Sequence, residues 1–469
     1  MRHSILGAVI SFALLLAGCA GQVPNRSAGF TLAPECRALY DRHTGAEDIT
    51  TPESMCWKRS SEERKDYDLL FAEFDDQGWT QGTSDSSQQR ADHIDQLMSR
   101  ISALVNQHEK NGISLVVFVH GWHHSADAND SNVREFRSLL RDISVIEGAS
   151  GGRRVVGLFV GWRGDSITIE GLNVLTFWDR KATAEKVSQG SVRELFARLD
   201  AMRDHAKSGG KKAVRMITIG HSFGGLITFE LLSSEFIRGV ARHREATENG
   251  HDSPSGCIEK PRYLSRVGDL VVVVNPAYEG ARYEPLRTAA QRTRCISDNQ
   301  WPVLITATSV ADDATGIAFP WARRINTLFE IDPEEEHNAN IRTVGHNERY
   351  TTHKLTLCDK SDHGCLSACS QTRPLGSDVT GDVRNEHILG ELTHIRSRSL
   401  DHFGKSEALC DGLQLASTGQ WVPMHNPYWV VETSGDVMRG HNDIFNPAFV
   451  AFIRQVYIGV RTVTRGIEQ

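Results

Sequence analysis

Short apolar runs alternate with helical spacings along most of the chain. Runs rich in β-branched residues predict buried strands, here at Tyr67–Phe74, Ile113–Val119, Val155–Val160, Val214–Ile219, Leu270–Val274, Val303–Ala307 and Trp429–Glu432. Apolar residues spaced three and four apart, or longer stretches of helical pattern, predict helices over 94–105, 133–143, 182–205, 226–237 and 448–460. Strands alternating with helices predict an α/β fold, a mostly parallel sheet with helices on both faces.

Composition narrows the class of protein. The chain has 469 residues, of which 39% are hydrophobic. These values exclude collagen-like and wholly disordered proteins, and no pattern of multiple membrane spans is present. The net charge of −7 argues against nucleic acid as the main partner. No motif implies a cofactor.

The first residues have the pattern of an export signal. Arg2 precedes an apolar stretch from Ile5 to Ala17, which is shorter than the roughly 20 residues of a membrane span and typical of a signal peptide. Its end, Leu16-Ala17-Gly18-Cys19, resembles the lipobox of bacterial lipoproteins. The resemblance implies removal of residues 1–18, lipidation of Cys19 and anchoring in the cell envelope. The alternative is an ordinary secretory signal with an incidental Cys.

The position after the lipobox bears on which membrane is used. Ala20 stands where Asp would favour retention in the inner membrane of a Gram-negative bacterium. The outer membrane is therefore favoured if the source is Gram-negative. Residues 19–62 are interpreted as a tether and N-terminal extension, and 63–469 as one α/β domain. Within it, a Cys/His-rich insertion or cap is expected at about 330–425, before the last strand.

Eight cysteines remain after Cys19, and an even number in an exported protein predicts up to four disulfides. Proximity in the sequence suggests the pairs Cys36–Cys56 and Cys257–Cys295. The alternative for part of the insertion is a zinc site, although the spacing is not a standard zinc pattern. Its ligands would be Cys358, His363, Cys365 and Cys369.

One motif indicates covalent chemistry. Gly220-His221-Ser222-Phe223-Gly224 matches G-x-S-x-G, with a predicted strand before it and a predicted helix after it. This is the setting of a nucleophile elbow, a tight turn that projects the Ser hydroxyl above a sheet. Small residues are needed at Gly220 and Gly224 because the turn packs closely. The alternative is a chance match at a strand–helix turn.

A Ser hydroxyl needs a base, and the base needs an orienting acid. With this elbow, residues from about 65 to 465 resemble the α/β-hydrolase superfamily of serine esterases and lipases. The resemblance implies an acid after the seventh strand and a His after the eighth. His441 lies between the last strand and the terminal helix, with His425 as the alternative base. Asp312 is preferred as the acid by its spacing from the strand, with Asp313 as the alternative.

The resemblance also implies two oxyanion donors, the backbone N–H of Phe223 and one from the loop after the third strand. In that loop, the backbone N–H of Trp122 is expected to be the second donor, although the loop sequence is not the His-Gly-Gly-Gly of some esterases. The loop histidines His120, His123 and His124 could instead form a metal cluster. A structural role is favoured, because no carboxylate stands at convincing ligand spacing.

Two stretches bear on the substrate. The first follows the fourth predicted strand and would either cover an acyl chain or pack as a helix on the sheet; it contains Leu172, Val174, Leu175, Phe177 and Trp178. The second, Asn275-Pro276-Ala277-Tyr278, would line the pocket or close a turn.

The expected function is that of a membrane-anchored serine hydrolase. It would cleave carboxylic esters of a small molecule or lipid through an acyl-enzyme, with neither metal nor cofactor. One alternative is a non-catalytic envelope lipoprotein that uses the fold as a binding platform. Another is a zinc hydrolase that uses the Cys/His-rich insertion.

Overall fold

The computed structural model describes residues 23–43, 49–51, 54–81, 87–164, 173–208, 214–248, 257–258, 261–264, 268–298, 300–326, 333–369, 385–391, 406–419 and 426–467. The predicted signal peptide and Cys19 lie outside these residues, as do His425 and Leu172. Within the described parts of the chain, no helix combines the length and apolar character needed to cross a membrane.

A mostly parallel sheet of eleven strands forms the centre of the described structure. The strands are β1 Ser61–Glu63, β2 Tyr67–Phe74, β3 Ile113–Val119, β4 Arg154–Trp162, β5 Arg215–His221, β6 Leu270–Val274, β7 Leu304–Ser309, β8 His353–Leu357, β9 Ser406–Ala408, β10 Leu413–Ser417 and β11 Tyr428–Thr433. Their spatial order is β1-β2-β4-β3-β5-β6-β7-β11-β8-β10-β9. In this order all neighbouring strands from β2 to β8 are parallel, and the outer pairs are antiparallel.

Helices cover both faces of this sheet. They are α1 Pro34–Arg42, α2 Ser87–Gln107, α3 Ser131–Gly148, α4 Asn173–Gln189, α5 Val192–Ser208, α6 Phe223–Thr247, α7 Gly280–Gln291, α8 Phe319–Asn326, α9 Glu334–Ile341, α10 His363–Leu366, α11 over 385–391 and α12 Pro447–Ile467.

Two hydrophobic cores lie on the two faces of the sheet. Alternate residues of β3 show the division: Leu115 and Val117 belong to one core, and Val116 to the other. The first core takes apolar residues from α2, α4, α5, α6 and α7, and the second from α3 and α12. The prediction of an α/β fold with a mostly parallel sheet is confirmed.

The helix predicted over 182–205 is instead two helices, α4 and α5, which separate at Gly190. A Cβ atom on Gly190 would lie 2.4 Å from the carbonyl oxygen of Gly78. Ser191 N–H also donates to that oxygen. The loop after β2 therefore presses against the break, and a side chain at Gly190 would collide with backbone.

The insertion before the last strand extends the sheet in its described part, rather than forming a cap above it. β8 pairs in parallel with β11, and β10 and β9 follow in antiparallel order. These strands are three to five residues long. Such short strands carry too few alternating apolar positions to be recognised in the sequence.

Four disulfides are present in the described residues. The expected pairs Cys36–Cys56 and Cys257–Cys295 are confirmed. The other two are Cys358–Cys365 and Cys369–Cys410. The alternative of a zinc site formed by these cysteines and His363 is therefore wrong, because Cys358, Cys365 and Cys369 are all oxidised and cannot act as thiolate ligands.

Part of the N-terminal extension packs on the domain. Arg26 is buried, and its Nη1 lies 3.2 Å from Glu62 Oε1. Arg137 of α3 contacts the same oxygen at 2.8 Å. Burial by itself would raise the pKa of Glu62, but Arg137, Arg64 and Arg26 together hold it well below its usual range. This ionic cluster attaches the extension to the first helix after β3.

Candidate active site

Ser222 lies at the sharp turn between β5 and α6. Its backbone has φ 55° and ψ −118°, a region that residues other than Gly seldom adopt and that costs roughly 1–3 kcal/mol. Ser222 N–H donates to the carbonyl of Val274, and the Ser222 carbonyl accepts from Leu226 and Ala277. These hydrogen bonds hold the strained turn in place.

The glycines around this turn are required by close packing. A Cβ on Gly224 would lie 2.1 Å from the Val119 carbonyl oxygen, and one on Gly220 would lie 2.6 Å from the Gly224 carbonyl oxygen. A Cβ on Gly121, in the loop after β3, would lie 2.9 Å from Ser222 Cβ. The loop after β3 thus has room only for a glycine beside His221 and Ser222.

Ser222, His441 and Asp312 form one hydrogen-bonded chain. Ser222 Oγ is 2.8 Å from His441 Nε2, and His441 Nδ1 is 2.9 Å from Asp312 Oδ2. The carboxylate accepts from Nδ1–H, which leaves Nε2 free to accept the Ser222 hydroxyl proton. Asp312 is buried and Asp313 is exposed, so the structure brings the first of the two candidate acids to His441.

Further groups hold the Asp312 carboxylate. Thr315 donates to it from its backbone N–H, at 3.1 Å, and from its hydroxyl. Burial opposes ionisation, but the hydrogen bond and charge of His441 and the Thr315 hydrogen bonds leave the pKa of Asp312 below its usual value. His346 Nε2 lies 3.1 Å from the Thr315 hydroxyl. Neither Thr315 nor His346 belongs to a motif recognisable in the sequence, and only folding brings position 346 close to position 312.

The His441 loop is held through its backbone carbonyl. His221 Nε2 and Asn275 Nδ2 each lie 2.9 Å from the His441 oxygen. Asn275 Oδ1 also accepts from Ser309 N–H at 2.9 Å. Burial, followed by the charge of His441, lowers the pKa of His221 well below its usual value. The neutral His221 ring therefore donates from Nε2, and Asn275 joins the ends of β6 and β7 to this loop.

The two expected oxyanion donors border the same turn. Phe223 is the first residue of α6, where N–H groups have no intrahelical acceptor and the helix dipole is positive. Trp122 follows Gly121, whose contact with Ser222 places that loop beside the nucleophile turn. Both residues therefore lie next to Ser222.

His120 has a structural role in this loop. Its Nδ1–H donates to the Gly121 carbonyl at 2.7 Å, and its Nε2 accepts from Trp162 N–H at 3.0 Å. Burial lowers the pKa of His120 to about 4, so the ring is neutral near pH 7. Because both ring nitrogens are occupied, His120 cannot join His123 and His124 in a metal cluster.

A cluster of aromatic side chains packs beside the nucleophile turn. The Phe177 ring centroid of α4 lies 5.2 Å from that of Phe223 and 6.2 Å from that of Trp122. The ring centroid of Phe319, on α8, lies 5.9 Å from that of Phe177, and the two rings are nearly perpendicular. Phe177 thus packs as a helix residue and also borders the candidate site. The side chains of Val174 and Leu175 lie outside the described structure.

Comparison with protein-family models, curated proteins and solved structures finds no match to this chain.

Proposed function

We propose that this protein is a serine hydrolase of the α/β-hydrolase fold that cleaves carboxylic esters. The observation that carries the proposal is the Ser222–His441–Asp312 hydrogen-bonded chain. The topology adds support: the Ser follows β5, the acid follows β7 and the His follows β11, each at the carboxyl end of a parallel strand. This is the chain order that the family uses.

In the acylation step, Ser222 Oγ forms a bond to the carbonyl carbon of the ester. His441 Nε2 takes the hydroxyl proton, and the carbonyl electron pair moves onto oxygen. The N–H groups of Phe223 and Trp122 stabilise that oxyanion. When the carbonyl re-forms, the bond to the alkoxy oxygen breaks, and that oxygen leaves with the proton from His441.

In the deacylation step, water repeats the attack. His441 takes one proton from the water as its oxygen bonds to the acyl carbon. Collapse of the second tetrahedral intermediate releases the acid and returns the proton to Ser222. Asp312 keeps the imidazole oriented and stabilises its charged form in both steps. The low pKa of Asp312 supports this role, since an ionised carboxylate is required.

The substrate class is proposed from the surroundings of the turn. Trp122 and Phe177 are partly exposed and pack beside the buried ring of Phe223, so they offer apolar surface that suits the acyl chain of a small ester or a lipid. Amides and thioesters are cleaved by the same arrangement of groups, so ester preference is to be tested with matched substrates of one acyl chain.

We also propose that the protein works in the bacterial cell envelope, where a lipid attached to Cys19 anchors it. Four disulfides support an oxidising compartment. Replacing Cys19 by Ser should move the protein from the membrane fraction to the soluble fraction of the envelope. An unchanged membrane fraction would rule out this anchor.

Labelling with a fluorophosphonate tests the central proposal. The wild type without residues 1–19 should be labelled, the Ser222→Ala variant should not, and Ser361→Ala should behave as wild type because Ser361 is exposed. Ester turnover should fall in Ser222→Ala by a factor on the order of 10⁴ or more. A folded wild type that resists the probe and turns over no ester would overturn the proposal and favour a binding platform.

A further inference from the structure

A second cluster of chemically active side chains lies inside the insertion. We call it the His387 cluster: His387 and Glu391 from α11, and Asp411 from the turn before β10. The three side chains are buried, with 5%, 1% and 1% of their surface exposed. One ligand atom from each lies within 4.8 Å of the others.

Two of these atoms have no hydrogen-bond partner. His387 Nε2 and Asp411 Oδ1 are only 2.5 Å apart, yet their geometry forms no hydrogen bond, and neither finds another partner among the described residues. His387 Nε2 is also 3.8 Å from Glu391 Oε1. Buried polar atoms are normally satisfied. Two buried ligand atoms that lie this close without a hydrogen bond between them are the arrangement expected where one cation binds both.

The balance of positive and negative charge around the cluster also favours a bound cation. Arg454 of α12 donates to both oxygens of Glu391, at 2.9 and 2.7 Å. The same guanidinium is 3.5 Å from Asp411. Its one positive charge therefore faces both carboxylates of the cluster. Buried charges need compensation, and a divalent cation at the unpartnered atoms would supply it.

We propose that the His387 cluster binds a divalent transition-metal ion of the zinc type through His387 Nε2, Glu391 Oε1 and Asp411 Oδ1. One imidazole and two carboxylates are ligands that zinc accepts. A carboxylate has about four acceptor positions, so Glu391 can bind the ion while Arg454 occupies its other lone pairs. Such hydrogen bonds to a ligating carboxylate orient it.

We assign the ion a structural role, because all three residues that would bind it are buried. The ion joins α11 to the turn that holds the Cys369–Cys410 disulfide. Through Arg454 both are joined to α12, and Gln455 of the same helix accepts from Cys410 N–H at 2.8 Å. The metal thus attaches the insertion to the helix that follows the His441 loop. This proposal does not depend on the proposed function.

Metal analysis of the full-length protein, purified in detergent without a histidine tag or chelator, tests the site. The wild type should contain about one equivalent of zinc or a related ion per chain. His387→Ala and Glu391→Gln should lose it. His363→Ala is the matched control, because His363 is an exposed histidine of the same insertion, and it should keep the metal.

A second measurement needs only the wild type, in case a variant does not fold. Treatment with a strong chelator should lower the melting temperature, and added Zn²⁺ should restore it while Mg²⁺ should not. A metal-free wild type whose melting temperature does not respond to Zn²⁺ or Mn²⁺ would overturn the proposal, leaving the cluster as a proton-compensated ion-pair network. Fluorophosphonate labelling of the same samples reports separately on Ser222.

Discussion

Ser222 Oγ and His441 Nε2 are 2.8 Å apart although 219 positions separate the two residues in the chain. The reason is topological. Ser222 follows β5 and His441 follows β11, and parallel strands of one sheet present their carboxyl ends at the same edge. The backbone of His441 is then fixed by His221, the neighbour of Ser222. The base is thus positioned by the same turn that presents the nucleophile.

Asp312→Asn should lower kcat by a factor on the order of 10³–10⁴, because the amide favours the wrong tautomer of His441. Asp313→Asn is the matched control, since Asp313 is the exposed neighbour, and it should keep wild-type kinetics. Steady-state hydrolysis of a chromogenic ester measures both. Equal effects of the two substitutions would contradict the assignment of Asp312.

Asn275→Ala should lower kcat by roughly 10- to 100-fold with a small change in KM, because a displaced His441 costs rate more than binding. The variant loses both the hydrogen bond to the His441 carbonyl and that from Ser309. Asn275→Asp keeps an acceptor for Ser309 N–H but cannot donate to His441. If the loss of rate comes from displacement of His441, both variants should have a low kcat. An Asn275→Asp variant with a kcat near that of the wild type would instead assign the effect to the lost hydrogen bond from Ser309.

Gly121→Ala should impair both folding stability and turnover. The added Cβ would lie 2.8 Å from His221 Nδ1 and 2.9 Å from Ser222 Cβ, and overpacking of this kind costs about 1–3 kcal/mol. Gly148→Ala is the control, because no atom lies within 4 Å of its added Cβ. Urea unfolding and ester turnover should show a defect in Gly121→Ala alone. A Gly121→Ala variant with wild-type stability and turnover would refute the close contact.

His120 should make folding stability depend on pH. Its pKa falls to about 4 in the folded protein because burial disfavours the charged ring, whereas an unfolded His titrates near 6.5. Between these values the unfolded state binds the extra proton. The free energy of unfolding is therefore highest above about pH 6.5 and declines as the pH falls towards 4. His120 alone contributes about 3 kcal/mol to this decline.

Urea unfolding between pH 4.5 and 7.5 measures this contribution by comparing the wild type with His120→Gln. The free energy of unfolding should fall less steeply towards acid in the variant, because Gln does not titrate. His363→Gln, an exposed histidine, should leave the slope as in the wild type. Parallel slopes for wild type and His120→Gln would show that His120 is not buried as a neutral ring.

The zinc interpretation of the insertion illustrates what spacing alone cannot decide. Cys358, His363, Cys365 and Cys369 lie close in sequence, but three of them form disulfides. The proposed metal site instead uses His387 and Glu391, four positions apart on one helix, with Asp411 from another segment. The spacing of His387 and Glu391 can be recognised in the sequence as a pair on one helix face. Asp411 cannot be recognised as their partner, because only folding brings position 411 to α11.

Seven of the eleven strands, the tight turn at Ser222 and the candidates His441 and Asp312 came from the sequence by itself, whereas β1, β8, β9 and β10 did not. Local periodicity determines buried strands and amphipathic helices, and glycine spacing marks a crowded turn. Only the tertiary structure decided that Asp312 rather than Asp313 meets His441, that Asn275 holds the His441 loop, and that β8 joins β11. These are contacts between segments far apart in the chain, and their energies depend on the packed geometry rather than on neighbouring residues.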